Sequence, residues 1–241
     1  MSAPDPALWP LLPPDFVLSA GRIEILETPT DLAGQIFERL RALLTPEERD
    51  RTERLRIPYR RAESIVARGL VRLILGRLLC VDPQLLTFTP GPAGKPACDQ
   101  CTALQFNLSH TRNRVLLAVT QDAPVGVDIE FIRPDLAAAD LANRFFSPAE
   151  SAAIAAVGPD DRQRAFFACW TRKEALFKAT GRGIALGLAT FSVPLGSDAP
   201  AQWIGLPSPH GEWCLHTLAV SAGYTAALAT TDARPLRHTL L

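Results

Sequence analysis

The 241-residue chain lacks three features that would narrow its function at once: a long apolar run, an excess of one charge, and a common nucleotide or hydrolase motif. No apolar run approaches the ~18 residues needed to span a bilayer. Lysine plus arginine number 25, as do aspartate plus glutamate, so the net charge is zero and no polyelectrolyte character is indicated. There is no G-x-S-x-G, G-x-x-x-x-G-K-[ST] or G-x-G-x-x-G, which removes the main support for hydrolase, P-loop and Rossmann enzymes.

The sequence also lacks the features of a signal peptide and of a paired set of cysteines. Residues 1–15 are rich in proline and contain no lysine or arginine, so we expect no signal peptide there. The five cysteines are an odd, scattered set, which we expect to be free thiols in a cytoplasmic protein. Cys98 and Cys101 form a C-x-x-C, but no second pair follows at zinc-site spacing. A surface loop is therefore favoured there over a zinc or redox site.

The hydrophobic fraction of 47% is enough for one large domain or two small ones. The basic charge is uneven, because residues 45–77 hold nine arginines against five acids. This pattern is typical of a solvated helix face with interleaved ion pairs. It is equally typical of a site for phosphates or for an acidic partner protein, since arginine binds phosphate bidentately.

Periodicity and capping patterns predict an alternation of strands and helices. Thr45-Pro46-Glu47-Glu48 and Ser147-Pro148-Ala149-Glu150 each have a cap, a proline and an acid typical of a helix start. Further helices are predicted at 31–44, 59–80 and 160–180, the last of which ends at a glycine stop. The predicted strands are 22–26, 104–108, 115–120, 125–130, 190–194, 213–218 and 224–230, with a turn at 109–114 and a Gly/Pro loop at 90–96.

The two parts of the chain echo each other. The helix start at 45 returns at 147, an offset of 102 residues, and Arg61-Ala62 returns as Arg164-Ala165, an offset of 103. Two echoes in the same order favour an internal duplication, and related halves often form a ligand cleft. The predicted domains are an N-terminal half at 1–122, with a Pro-rich extension at 1–20, and a C-terminal half at 123–241 that carries a metal site.

Two acids share one face of the predicted strand at 125–130. Strict alternation places Asp128 and Glu130 about 7 Å apart on the same side as Gly126. That spacing suits two ligands of one cation, or one ligand and a supporting group, and Gly126 would leave room for a ligand. The alternative is a surface strand with two outward-facing acids.

The predicted helix at 160–180 carries an aromatic stripe of Phe166, Trp170 and Phe177. Glu174 lies at the edge of this stripe on one ridge with Lys178, so we expect it to be half-buried and to need a partner or a metal ion. Lys178 would be that partner or would serve a nearby anion. Lys173 falls near the centre of the stripe, so its amine must reach solvent or a buried anion.

Lys95 and His110 are candidate phosphate ligands with ordinary alternatives. Lys95 lies on the Gly/Pro loop, where it would be a mobile cation; the alternative is an ordinary surface lysine. His110 would otherwise stabilise a turn together with Ser109 and Thr111.

Five segments, taken in order, resemble the 4′-phosphopantetheinyl transferase superfamily in its long, two-half Sfp type. They are Gly-Lys-Pro at 94–96, Phe-Asn-Leu-Ser-His at 106–110, Gly-Val-Asp-Ile-Glu at 126–130, Phe-Phe-Ser-Pro-Ala-Glu at 145–150 and Trp-Thr-Arg-Lys-Glu-Ala-Leu-Phe-Lys at 170–178. The resemblance covers about residues 20–230. Its D-x-E and W-x-x-K-E-x-x-x-K motifs are highly specific in combination.

The resemblance implies an α/β fold of pseudo-twofold, duplicated α+β halves, each a small antiparallel sheet with a long packed helix, and coenzyme A between them. It implies a holo-[acyl-carrier-protein] synthase type enzyme that moves the 4′-phosphopantetheine arm of coenzyme A to a serine of an apo acyl or peptidyl carrier protein. The reaction would require Mg²⁺ and release 3′,5′-ADP, in fatty acid, polyketide or nonribosomal peptide biosynthesis. We further expect a cytoplasmic monomer that binds neither nucleic acid nor membrane.

The resemblance also assigns residues by position. Asp128, Glu130 and Glu174 are the expected metal ligands, and Glu174, Lys178 and His110 the expected catalytic residues. Glu174 is a candidate base toward the carrier serine, and Lys178 helps the leaving group. The expected coenzyme A ligands are Arg51, Arg61, Ser64, Arg68, Lys95, Ser109, His110 and Lys178.

Glu48 stands where some relatives carry lysine, which puts that local contact in question. Two other functions stay open at this level. One is a non-catalytic module that binds coenzyme A or a carrier protein, against which the intact acids count. The other is a nucleic-acid binder that uses the arginine-rich segment, against which the zero net charge counts.

Overall fold

The structure is a computed structural model that describes residues 12, 16–91, 93–181, 187–195, 202–205 and 212–241. The described chain groups into two compact units. The first contains the chain up to Pro90, Pro96–Asp122 and Arg234–Leu241; the second contains Gly91–Lys95 and Ala123–Ala233. The halves at 1–122 and 123–241 stay a prediction about domains, and this grouping differs from them at 91–95 and 234–241.

The first unit is a four-stranded sheet with three helices and a small separate ribbon. Its elements are β1 (Ile23–Pro29), α1 (Gly34–Ala42), α2 (Pro46–Glu53), α3 (Pro58–Leu79), β2 (Phe88–Pro90), β3 (Pro96–Cys98), β4 (Leu104–Thr111), β5 (Arg114–Gln121) and β10 (Leu236–Leu240). The sheet has the order β10-β1-β5-β4, and β2 pairs with β3. The long helix α3 supplies the centre of the core through buried residues such as Val66, Leu70 and Ile74.

The second unit is a four-stranded antiparallel sheet with three helices. Its elements are β6 (Val125–Phe131), α4 (Ala138–Phe145), α5 (Pro148–Ala156), α6 (Pro159–Thr180), β7 (Gln202–Gly205), β8 (Glu212–Leu218) and β9 (Tyr224–Thr230). The sheet has the order β6-β9-β8-β7. The predicted aromatic stripe packs in this core, where Phe166 and Phe177 are buried and Trp170 is partly buried.

Each unit repeats the same order: a strand, three helices of which the third has 22 residues, and an antiparallel hairpin whose last strand lies beside the first strand. The second helix of each unit starts with a capping box, Thr45 with Glu48 in α2 and Ser147 with Glu150 in α5. Both predicted helix starts are therefore confirmed. The repeated order agrees with an internal duplication.

Gly126 positions α6 on β6. A Cβ atom at this residue would collide with the backbone of α6, at the carbonyl oxygen of Ala175 and the amide nitrogen of Ala179. The expectation that Gly126 leaves room for a ligand is thus wrong, because the space is filled by the protein's own helix. The α6 helix then ends at Gly181, whose φ of +66° suits glycine, as the sequence predicts.

Three local predictions need correction. No strand forms at Thr190–Pro194. The turn predicted at 109–114 shrinks to Arg112 and Asn113, with φ of +22° and +65°, because β4 and β5 continue to that point. The sheet of the first unit is not wholly antiparallel, since β10 adds to β1 in parallel.

Cys98 also departs from expectation. It lies on β3 and is buried in the core of the first unit rather than on a surface loop. All five cysteines are free thiols. Among the helices of the described residues, none is both long and apolar enough to cross a membrane.

Candidate active site

The second unit brings Asp128 on β6 next to Lys178 on α6. The Nζ atom of Lys178 donates to Oδ1 of Asp128 at 2.7 Å and to the carbonyl oxygen of Val127 at 3.2 Å. Both contacts follow from the close approach that Gly126 allows, because β6 and α6 then face each other at short range. Lys178 therefore serves a neighbouring anion on the strand.

Glu174 lies one helical turn before Lys178 and is half-buried, as its position at the edge of the stripe predicts. Its Oε1 atom is buried and accepts no hydrogen bond from the described residues. Burial raises the pKa of the Glu174 carboxyl, and the negative charge of Asp128 raises it further, while Lys178 acts in the opposite direction. The carboxylate thus lies in a place where a cation would stabilise it.

Of the three expected metal ligands, Asp128 and Glu174 lie near each other, but the three do not form a compact group. Within the described residues, no three His, Cys, Asp or Glu side chains converge into a group that could hold a metal ion. Asp128 and Glu174 are nevertheless close enough for one carboxylate to raise the pKa of the other, and Glu130 follows on β6, half-buried. Carboxylate oxygens with an unsatisfied buried acceptor fit a hard cation such as Mg²⁺.

Lys95 belongs to the same unit. Its Nζ atom donates to the carbonyl oxygen of Val125 at 2.7 Å, at the start of the strand that carries Asp128. Burial lowers the pKa of the Lys95 amine to about 8. The expected mobility is wrong and the alternative of an ordinary surface lysine does not hold either, because the amine is hydrogen-bonded to the strand and partly desolvated.

In the first unit, His110 lies on β4 with its Nδ1 atom 3.6 Å from Oε2 of Glu63, a buried residue of α3. The other carboxylate oxygen of Glu63 accepts a hydrogen bond from the backbone of Asn113. The role of Glu63 as a partner of His110 could not be predicted from the sequence, because no local spacing links α3 to the β4–β5 turn. Ser109, the preceding residue on β4, is buried, and strand alternation puts its side chain on the opposite face of the sheet.

Arg68 and Arg72 on α3 both bind Glu48. Arg72 is buried and its Nε lies 2.6 Å from Oε2 of Glu48, and the NH1 of Arg68 lies 3.6 Å from Oε1. Glu48 also closes the capping box of α2. The acid at this position therefore has a structural role: the sequence predicts its part in the helix start, but not its pairing with Arg68 and Arg72.

Three other expected coenzyme ligands lie on or near the surface. Arg51 is exposed and makes no ion pair or side-chain hydrogen bond with any residue the structure describes. Arg61 is exposed and donates to the carbonyl oxygen of Leu55 at 2.9 Å. Ser64 is half-buried on α3.

Lys173 is fully buried and its Nζ atom lies 2.9 Å from Oε1 of Glu150. It also donates to the carbonyl oxygens of Leu188 and Phe191 at 2.7 and 2.6 Å. Of the two alternatives for this lysine, contact with a buried anion is the correct one. Sequence spacing predicts the burial but does not identify Glu150.

Comparison with known proteins places this arrangement in a family. The family model described as "4'-phosphopantetheinyl transferase superfamily" matches residues 124–229. The 4'-phosphopantetheinyl transferase HetI of Nostoc sp. is 34% identical over 224 residues, which is 92% of each chain. The 4'-phosphopantetheinyl transferase psf-1 of Bacillus pumilus is 34% identical over 86% of this chain and 87% of its own length.

The 4'-phosphopantetheinyl transferase Sfp of Bacillus subtilis is 30% identical over 82% of this chain and 86% of its own length. Three such relatives, each covering more than four-fifths of the chain, agree with the motifs on β6 and α6. The chain belongs to the 4′-phosphopantetheinyl transferase superfamily and is a transferase of this type.

Proposed function

We propose that this transferase moves the 4′-phosphopantetheine arm of coenzyme A to a serine hydroxyl of an apo acyl or peptidyl carrier protein and releases 3′,5′-ADP. In this step the serine oxygen forms a bond to the phosphorus that bears the pantetheine, and the bond from that phosphorus to the leaving 3′,5′-ADP breaks. The single observation that carries the proposal is the contact of Lys178 with Asp128 beside the half-buried Glu174.

We assign Asp128, Glu130 and Glu174 as the residues that would hold Mg²⁺. The support is the oxygen donor set and the buried Oε1 of Glu174, which accepts no hydrogen bond within the described chain. When bound, the cation would offset the negative charge of the pyrophosphate.

Lys178 and Lys95 are the proposed cationic contacts of the pyrophosphate in this unit. Lys178 is anchored by Asp128 and by the carbonyl oxygen of Val127, so its charge is held in one place. Lys95 is anchored by Val125. Positive groups fixed before the reaction stabilise charge that develops on a leaving phosphate without reorganising.

Glu174 is the proposed acceptor of the serine proton. Its carboxylate is half-buried beside Asp128, and its Oε1 atom accepts no hydrogen bond within the described chain, so an oxygen is available to accept a proton. The proton would move from the serine hydroxyl to the Glu174 carboxylate as the new bond to phosphorus forms.

The first unit supplies the other proposed contacts with coenzyme A. His110 would bind a phosphate through the ring nitrogen that does not face Glu63, whose carboxylate orients the imidazole. The remaining coenzyme A contacts in the proposal are Arg51, Arg61, Ser64, Arg68 and Ser109. Arg68 would exchange its ion pair with Glu48 for the ligand, and this 3.6 Å pair is long enough to exchange readily.

The proposed setting is a monomer in the cytoplasm that acts without nucleic acid or membrane. Five free thiols fit a reducing compartment. The alternative function is a non-catalytic module that binds coenzyme A or a carrier protein.

A mass-shift assay tests the proposed function. The purified protein is incubated with Mg²⁺, coenzyme A and a panel of apo carriers, and the carriers are weighed by mass spectrometry. We expect a gain of one phosphopantetheinyl group on at least one carrier, at a rate that falls at least about 100-fold with Glu174→Gln. Tight coenzyme A binding without a gain on any carrier would instead establish the non-catalytic alternative.

A further inference from the structure

In the first unit, a buried ion pair joins α2 to α3. The Nε atom of Arg72 lies 2.6 Å from Oε2 of Glu48. The NH1 atom of Arg72 donates to the carbonyl oxygens of Pro83 and Leu86, in the segment that follows α3. Glu48 is also the acid of the α2 capping box, and its Oε2 atom accepts a hydrogen bond from the backbone nitrogen of Thr45 at 3.1 Å. The Glu48 carboxylate is therefore held in one orientation from two sides.

The second unit contains the same arrangement. Lys173, which lies 101 residues after Arg72, pairs with Glu150, the acid of the α5 capping box. Its Nζ atom also donates to two carbonyl oxygens in the segment that follows the long helix, three residues apart as Pro83 and Leu86 are. An ion pair of this geometry is thus a repeated structural element, which in each unit holds the long helix, the capping box and the following segment together.

Glu48 differs from Glu150 in having a second cation beside it. The NH1 atom of Arg68, one helical turn before Arg72, lies 3.6 Å from Oε1 of Glu48. The residue at the corresponding place in α6 is Cys169, a thiol. The repeated element is therefore complete in the second unit without such a cation, so its structural role does not explain Arg68.

The Arg68 side chain has the properties of a binding residue. It is 34% exposed, against 4% for Arg72, and its guanidinium donates no hydrogen bond to any residue that the structure describes. Its contact with Glu48 is an attraction between charges at 3.6 Å, which is weak at a partly exposed position. The N–H donors of Arg68 are thus available to a phosphate group, an anion that guanidinium binds bidentately.

We propose that Glu48 is an affinity-determining residue for coenzyme A, because it pairs with the Arg68 guanidinium and competes with a phosphate group of the coenzyme for it. This inference rests on the proposed function, in which Arg68 contacts coenzyme A. Arg72 and the capping box keep the Glu48 carboxylate in place, so the phosphate must draw Arg68 away from a fixed competitor. Coenzyme A therefore binds less tightly than it would to an Arg68 without this partner.

Glu48→Gln tests the competition, because it lowers stability and strengthens coenzyme A binding. The amide keeps the acceptor oxygen of the capping box but removes the counter-ion of the buried Arg72, so Tm should fall by about 5–10 °C. The Kd for coenzyme A should also fall, by about two- to fivefold, because Arg68 is released. A purely structural role for Glu48 would lower Tm without tightening the binding of coenzyme A.

Glu150→Gln is the matched control, because it makes the same change in the repeated ion pair that has no second cation. We expect it to lower Tm by a similar amount and to leave the Kd for coenzyme A at or above the wild-type value. The double variant Arg72→Met/Glu48→Gln covers the case in which Glu48→Gln does not fold, since it removes the buried cation together with its counter-ion. Its Kd for coenzyme A should again lie below that of the wild type.

Arg68→Gln shows whether the effect passes through the arginine. We expect the Kd for coenzyme A to rise about tenfold, the loss of one charge-assisted contact with phosphate. Adding Glu48→Gln to Arg68→Gln should leave that Kd unchanged, so the two substitutions should not be additive.

Two probes identify the phosphate group, and either result supports the competition. If Glu48→Gln tightens the binding of coenzyme A but not of 3′-dephospho-coenzyme A, Arg68 binds the 3′-phosphate. If it tightens both equally, Arg68 binds the pyrophosphate.

Isothermal titration calorimetry measures each Kd without a carrier protein, so its outcome is separate from that of the mass-shift assay. Transfer by the wild type with an unchanged or higher Kd in the Glu48 variants overturns this inference alone. A lower Kd in these variants of a protein that modifies no carrier supports the inference and overturns the transfer. A lower Kd with Glu150→Gln, or an effect of Glu48→Gln that persists in Arg68→Gln, also overturns the inference. The absence of coenzyme A binding to the wild type overturns both proposals.

Discussion

Lys173 and Glu150 form an ion pair that has no access to solvent: their side chains are 0% and 2% exposed, and Nζ lies 2.9 Å from Oε1. The same carboxylate oxygen accepts a hydrogen bond from the backbone nitrogen of Val193. Lys173 in turn donates to the carbonyl oxygens of Leu188 and Phe191. The pair therefore holds the irregular segment at 187–195 against α5 and α6 through hydrogen bonds, and Lys173 directly precedes Glu174 in α6.

Removing one member of this pair should be costly. We expect Lys173→Met to destabilise the protein by about 3–5 kcal/mol, because Glu150 would remain buried without its counter-ion. Urea denaturation followed by circular dichroism measures the change. The exposed Arg164→Met serves as a control and should shift stability by less than about 0.5 kcal/mol.

The double variant Lys173→Met/Glu150→Leu completes a thermodynamic cycle. Its loss should be smaller than the sum of the two single losses, since no charge is then left buried alone. Additive losses would show that the two side chains are not energetically coupled.

Gly126→Ala should destabilise the second unit by at least about 2 kcal/mol. The added Cβ would meet the backbone of α6, which cannot move aside as the end of a flexible side chain can. The denaturation midpoint in urea measures the loss. Gly34→Ala is the control: its Cβ meets nothing within 4 Å and it lies in α1, so the alanine should be neutral or stabilising. Equal effects of the two substitutions would contradict the close approach of β6 and α6.

Features encoded by neighbouring residues could be predicted from the sequence. The capping boxes at Thr45 and Ser147, the stop at Gly181 and the edge position of Glu174 depend on residues within one or two helical turns. These features depend on local interactions alone, and the tertiary packing of the protein leaves them unchanged.

Features that depend on packing could not be predicted. The pairing of β10 with β1 joins segments more than 200 residues apart, and Leu236–Leu240 has no clear strand alternation. The contact of His110 with Glu63 and that of Lys173 with Glu150 likewise depend on how elements meet. The sequence predicts too long a β4–β5 turn, because Arg112 and Asn113 take positive φ without a glycine to mark them.

Glu174→Gln should lose activity without losing stability. The substitution removes a negative charge that burial and Asp128 both disfavour, so Tm at pH 8 should equal or exceed that of the wild type. Transfer to the carrier should fall at least about 100-fold, because both the proposed proton acceptor and a proposed metal ligand are lost. Tm checks the expected stability and the initial rate of carrier modification checks the expected loss of activity, both on the same preparation. A large fall in Tm would make Glu174 a structural residue instead.

Coenzyme A binding should weaken as pH rises through about 8, because burial lowers the pKa of Lys95 to about 8 and its charge is lost there. Stability should move in the opposite direction. In the unfolded chain Lys95 keeps its proton up to the ordinary lysine pKa. Between the folded and the unfolded pKa the unfolded chain therefore binds more protons than the folded chain, and the free energy of unfolding increases as pH rises. The KM for coenzyme A and the urea midpoint between pH 7 and about 10 measure the two trends. Lys95→Arg, which stays charged in this range, should remove the rise in KM. A wild-type KM that does not change with pH would show that the Lys95 charge takes no part in binding coenzyme A.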